Sequence, residues 1–296
     1  MLIKKTKAQQ KWNLREDIPM KMKLLMTSVL STSLFLVACG GGSSNDGPAT
    51  TNPSGTPTNN IQNPVVKVEA YTSTNLGSVA AESSILTYKM LGQSGQEVQA
   101  TSLVFTPNTP PPVGGWPIVV WAHGTTGVAD ACAPSKAALA DSTKDLISKL
   151  LAAGYVVVAP DYEGLGTPGI HPFLNVKSEA FSITDAVVAT RNYLSQRNLL
   201  TSKKWVTVGH SQGGHAALGA AQYASRAQLD YKGTVAVAPA SNLGSILVDG
   251  EAQVANAPID IKIGTYAQLD TYTALVTAGI RNTQPSFDYG QVFTSQ

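Results

Sequence analysis

The sequence predicts an α/β protein: a mostly parallel sheet with helices on both faces. Two observations carry this. Apolar, β-branched runs such as WPIVVWAHG (116–124), YVVVAPDYEG (155–164), KKWVTVGHS (203–211) and KGTVAVAPAS (232–241) alternate with helix-length segments at 135–154, 177–198 and 212–226. Strands that are apolar throughout and separated by crossover helices are the pattern of parallel pairing with both faces covered. The composition agrees, because 296 residues that are 43% apolar and 14% charged suit a globular domain of ordinary size.

Taken in order, the chain starts outside that domain. Residues 1–38 hold seven Lys/Arg against two Asp/Glu, so the formal charge of +2 becomes −3 for the remainder. A mildly acidic body argues against nucleic acid as a partner. Met20, Lys21, Met22 and Lys23 form a basic start, followed by the 15-residue apolar run LLMTSVLSTSLFLVA (24–38). That length is short for a membrane span and right for the core of an export signal. The run ends in LVAC, which resembles the lipobox of bacterial lipoproteins. The resemblance implies that Cys39 becomes the lipidated first residue of the mature chain, held at a membrane of the cell envelope. Residues 39–64, rich in Gly, Ser, Thr, Asn and Pro, have little to bury and read as a flexible tether. Cys132 is then a single thiol in an oxidising compartment, either buried or paired outside the chain.

Residues 65–241 form the predicted core. VVKVEAYTS and SILTYKMLGQSGQEVQATSLVFTP alternate as half-buried strands, with GQSGQ as a turn between two of them. SKAALADSTKDLISKLLAAG (135–154) reads as one amphipathic helix closed by Gly154. Residues 242–296 lack another clear strand–helix unit. Helix-like pieces at 243–255 and 265–280 read as the start of an insertion.

The chemistry gathers at GHSQGGHAA (209–217), where a strand becomes a helix. Gly-x-Ser-x-Gly in that setting is a nucleophile turn. Crowding at the positions two before and two after the serine calls for Gly209 and Gly213, and the hydroxyl of Ser211 is pushed out above the sheet. The N–H of Gln212, at the helix N-terminus, points at the oxyanion of an acyl-transfer intermediate. HGTTG (123–127) follows an earlier strand and offers the N–H of Thr125 as a second donor, with His123 bracing the loop. Asp161 and Glu163 follow the next strand and lack companions at metal-ligand spacing, so they read as loop braces. No metal or organic cofactor is implied.

CAPS (132–135), APDYEGLG (159–166) and GHSQGGHAA (209–217), in that order and spacing, resemble the secretory lipases of the α/β-hydrolase fold, a group similar to the yeast lipase A type. The resemblance covers about residues 65–245. It implies hydrolysis of carboxylic esters, often acylglycerols, with Ser211 as nucleophile and a cap inserted after the strand ending near Pro239.

A triad on this fold runs Ser, then Asp or Glu, then His. After Ser211 the only histidine is His215, one turn along the same helix. His210 adjoins the serine on the opposite side of the strand, and His171 needs a loop folded back to come near. The acid is equally unplaced. The expectation is therefore a fragment of a longer hydrolase, with acid and base beyond residue 296 and little activity alone. Two alternatives stand: a non-catalytic surface lipoprotein keeping the scaffold, and a peptidase or acyltransferase on the same fold.

Overall fold

The computed structural model describes residues 55–293; the expected export signal, Cys39 and most of the tether lie outside them. Residues 55–287 belong to one compact unit, and 288–293 to another. In the latter, Tyr289–Gln291 make one short turn, with the Asp288 side chain accepting from the N–H of Gly290.

The larger unit is built on seven strands: β1 (Val65–Ala70), β2 (Ala80–Leu91), β3 (Glu97–Pro107), β4 (Trp116–Ala122), β5 (Val156–Pro160), β6 (Thr201–His210) and β7 (Asp230–Val237). They lie in the order β1-β2-β3-β5-β4-β6-β7. The β1–β3 meander and the β3–β5 pair are antiparallel, whereas β5, β4, β6 and β7 pair in parallel. The helices are α1 (Asp141–Ala152), α2 (Val176–Gln196), α3 (Gln212–Gln222), α4 (Leu243–Gln253) and α5 (Ile259–Ile280).

Alternation along the central strands divides the core into two layers. Val104, Val156 and Val158 face a layer completed by Phe181, Ile183 and Val187 of α2 and by Ala216 and Ala220 of α3. Leu103, Phe105, Val157 and Ala159 face the other, completed by Ile147 and Leu151 of α1. A strand apolar at every position is therefore buried on both sides, as its sequence requires. Gly219 lets α3 close on α2, because a Cβ there would lie 2.7 Å from Val176 Cγ2.

Three segments depart from expectation. Residues 135–140 are not α-helical: Pro134–Lys136 make a single 3-10 turn and the chain then runs irregularly to Ala140. The N–H groups of Ser135 and Leu139 donate instead to Asp161 Oδ1 and Thr74 Oγ1, and the Ala137 carbonyl accepts from the Tyr71 hydroxyl. Those bonds draw the backbone away from an i→i−4 ladder, so α1 begins only at Asp141.

The end of the expected tether is docked. The Asn59 side chain donates to Asp185 Oδ1 at 2.8 Å, its N–H donates to the Arg226 carbonyl, and the Arg226 guanidinium donates to the Pro57 carbonyl. Arg226 and Asp185 are themselves a buried ion pair with two N–H···O contacts of 2.7 and 2.8 Å. Burial pushes the Asp185 carboxyl up, and Arg226 opposes that shift. The last expected helix also starts earlier, at Ile259 directly after Pro258, whose fixed φ suits a helix start.

Candidate active site

β6 runs beside β4 and ends at His210, and α3 starts at Gln212, so one residue makes the whole reversal. That residue, Ser211, has φ 57° and ψ −118°, a conformation that L-residues avoid and that costs about 1–3 kcal/mol. The surroundings fix it. Its N–H donates to the Val237 carbonyl at 3.0 Å, and its carbonyl accepts from the N–H of Ala240 at 3.1 Å, so the last residue of β7 and the segment just after it hold the residue on both its sides. The flanking glycines have no room for a side chain. A Cβ at Gly209 would run into the Gly213 carbonyl, and one at Gly213 into the Ala122 carbonyl of β4. Ser211 itself remains partly exposed.

The loop after β4 lies against this turn. A Cβ on Gly124 would sit 3.8 Å from Ser211 Cβ and 3.3 Å from the His210 carbonyl, and Thr125 follows, half-buried. His123 braces the loop: Nδ1 lies 2.7 Å from its neighbour's carbonyl, Gly124 O, Nε2 lies 3.2 Å from Asp161 O, and the ring stacks on Tyr162. Asp161 is buried and accepts from Thr101 Oγ1 and the Ser135 N–H. Burial raises its pKa against those bonds. Glu163 accepts from Ser178 Oγ and the Gln93 N–H. Both carboxylates tie loops together, and among the described residues no group of His, Cys, Asp and Glu could hold a metal. Cys132 is a free thiol packed over Gly127, where a Cβ would meet its sulfur.

The loop bearing His171 folds back. Gly164, at φ 74°, permits this, since a Cβ there would strike the backbone of His171. His171 is fully buried beside the turn, not at the surface. Its Nδ1 lies 2.7 Å from the Glu163 carbonyl, which can only accept, so Nδ1 carries the proton and Nε2 is the acceptor. Nε2 takes a hydrogen bond from Gln212 Nε2 at 3.0 Å. Burial lowers the His171 pKa to about 4, so the ring is neutral at ordinary pH.

The same Gln212 amide donates at 2.9 Å to Glu179 Oε1, on the first turn of α2. Glu179 Oε2 accepts from His215 Nδ1 at 2.6 Å. Glu179 is wholly buried and was missed by sequence reasoning. Fourteen of the 21 residues of α2 are buried, so the helix has no polar stripe to mark Glu179 as anything but a solvated acid. The four histidines are thus distributed: His123, His171 and His215 are each held by other partners, and His210 is exposed at the end of β6.

A mixed sheet with helices on both faces, carrying a serine in a strained strand-to-helix turn over its parallel part, defines the α/β-hydrolase fold. Within that fold, the family model for secretory lipases matches residues 133–287, just over half of the chain, and the chain belongs to that family of lipase- and esterase-like hydrolases. It resembles the rice cell wall degrading esterase LipA from Xanthomonas oryzae at 23% identity and a TM-score of 0.57, over 79% of this chain and 64% of that one. A hydrolase from Legionella pneumophila matches at 18% identity and a TM-score of 0.59, over 76% and 62%. Candida antarctica lipase A matches at 20% identity and a TM-score of 0.54, over 79% and 53%. The chain therefore spans between about half and under two thirds of these proteins, and at such identities the likeness is one of fold. No curated protein matches the chain. No helix among the described residues is long and apolar enough to cross a membrane.

Proposed function

We propose that the protein is a serine carboxylic-ester hydrolase of the lipase type, acting on an ester or acylglycerol. Ser211 Oγ gives its proton to a base and bonds to the ester carbonyl carbon, whose electron pair moves to the oxygen. The N–H groups of Gln212 and Thr125 hold that oxyanion. Collapse passes the base's proton to the departing alcohol and leaves an acyl-serine; water then gives a proton to the base and bonds to the acyl carbon, and a second collapse frees the acid as Ser211 Oγ takes the proton back. The observation that carries this reading is the backbone of Ser211, held at positive φ between two glycines that admit no side chain. Strain of this kind, maintained by its surroundings, marks a site where geometry serves chemistry.

The base and the acid lie outside these 296 residues on this reading. His171 is neutral with both nitrogens engaged, His123 and His215 are committed elsewhere, and His210 is exposed. Residues 242–296 are the start of a cap, and residues 1–38 an export signal that leaves a lipidated Cys39 and a tether to the cell envelope. The secretory character of the family supports export.

The test replaces the missing base by a nucleophile that ionises unaided. In the unprocessed 296-residue chain, where Cys39 is still an unlipidated thiol, Ser211→Cys at pH 9, offered p-nitrophenyl butyrate, should release one equivalent of nitrophenolate beyond that of the unsubstituted chain with its Cys39 and Cys132, and then stop. Release no greater than that of the unsubstituted chain would leave a hydrolase scaffold without the chemistry. Sustained turnover by the unsubstituted chain, abolished in Ser211→Ala, would keep the nucleophile and overturn the external base.

A further inference from the structure

Gln212 contributes its backbone N–H to the proposed oxyanion site, and its side chain makes two hydrogen bonds of its own. That side chain is completely buried under the first turn of α3. Its orientation is set by chemistry: a carboxylate oxygen at 2.9 Å and an unprotonated imidazole nitrogen at 3.0 Å are both acceptors, so the amide nitrogen faces them and both of its protons are used. The amide oxygen is buried with no hydrogen-bond partner among the described residues. A buried carbonyl left without a partner is disfavoured, so the two N–H bonds hold the side chain there against that cost.

The carboxylate is the centre of the arrangement. Glu179 is buried with its two oxygens divided between Gln212 and His215, at positions 1 and 4 of α3. One side chain of α2 therefore grips the N-terminal turn of α3 at two points, and His171 pins it from the folded-back loop. A helix N-terminus offers N–H groups with no intrahelical partner, and their direction follows the first turn. We infer that Glu179, with His171, is a positioning residue that aims the Gln212 N–H at the oxyanion. Asp161 and Glu163 also make two contacts each, but theirs join loops to neighbouring segments, whereas both contacts of Glu179 fall on one helical turn. The double grip falls on the turn whose backbone amide must be fixed to a fraction of an ångström for electrostatic stabilisation to act.

This rests on Ser211 being the nucleophile, and the experiment separates the two claims. In the Ser211→Cys chain, two rates are measured at pH 9: acylation by p-nitrophenyl butyrate, which passes through an oxyanion, and alkylation by iodoacetamide, which does not. Both are read at residue 211 by mass spectrometry, so that Cys39 and Cys132 do not contribute. Adding Glu179→Gln leaves one acceptor where there were two. Acylation should fall at least tenfold with the substrate concentration for half-saturation little changed, while alkylation stays within twofold. Equal loss in both reactions would mean that Glu179 only shapes or exposes the turn, and no loss in either would mean that it does nothing there; each overturns the inference. Gln212→Met keeps the Glu179–His215 contact and removes both side-chain N–H bonds. It carries the same test, with the same expected split, if Glu179→Gln does not fold. If Ser211→Cys is never acylated above background, the nucleophile reading has failed and this inference falls with it. Acylation that survives intact in both double variants overturns the inference alone.

Discussion

Helices α3 and α5 are both largely apolar, yet the protein treats them in opposite ways. Seven of the eleven residues of α3 are buried, and its first turn is fixed by Ser211, the glycines and the Glu179 grip. In α5, 22 residues long, only Thr277 and Gly279 are buried, and both lie at its C-terminal end. There Gly279 packs on Phe173 and the Asn282 side chain donates to the Ile170 carbonyl. The N-terminal half touches α4 where Gly250 meets Leu269 and otherwise shows Ile259 and Ile263 at 71% and 61% exposure. The difference teaches that apolar sequence alone does not mark the organised part of this molecule. What marks it is that polar groups and backbone are fixed as well as buried.

The sharpest way to break the comparison is Gly213→Ala. The added methyl meets the Ala122 carbonyl, which belongs to the central sheet and cannot yield, so chemical denaturation should show a loss of about 3 kcal/mol. Unchanged stability would mean that the turn is looser than the α3 side of the comparison requires.

Acid should act next most strongly, and through His171. Its folded pKa of about 4 lies below the ordinary 6.5, so between those values the unfolded chain binds a proton that the folded chain refuses. Stability from this group is complete above pH 6.5 and is lost as pH falls toward 4, by about 2–3 kcal/mol. Denaturation at stepped pH should show that slope in the native protein and its absence in His171→Gln. An identical slope in both would place the acid sensitivity elsewhere.

A smaller effect of opposite sign is expected of Ser211→Gly. Removing Cβ relieves the disfavoured φ/ψ while adding freedom to the unfolded chain, for a net stabilisation of about 1 kcal/mol. A lower melting temperature would show that Ser211 is not strained. The smallest change belongs to α5: Ile263→Ser should alter stability by no more than about 0.5 kcal/mol, since the side chain is mostly in water. A loss of several times that would show the helix to be as organised as α3.

The parallel strands and the Ser211 turn were legible because they depend on local pattern. Apolar runs of strand length and glycines two positions either side of a serine fix the backbone whatever lies around them. The 135–140 segment was misjudged because its backbone bonds go to Thr74, Asp161 and Tyr71, far away in sequence. The docking of residues 57–59 was hidden for the same reason, since Arg226 and Asp185 meet them only in the fold. Glu179 carried no local signal at all. Its contacts with Gln212 and His215 exist only once α2 and α3 are packed, and that packing depends on Gly219 being small enough to admit Val176.

The central claim is that residue 211 is where acyl transfer begins. The most direct measurement is tandem mass spectrometry of the Ser211→Cys chain after p-nitrophenyl butyrate, with every thiol mapped. The account predicts one butyryl group on the peptide spanning residue 211 and much slower acylation at Cys39 and Cys132. Butyryl spread evenly over the three thiols, or concentrated on Cys132, would contradict it.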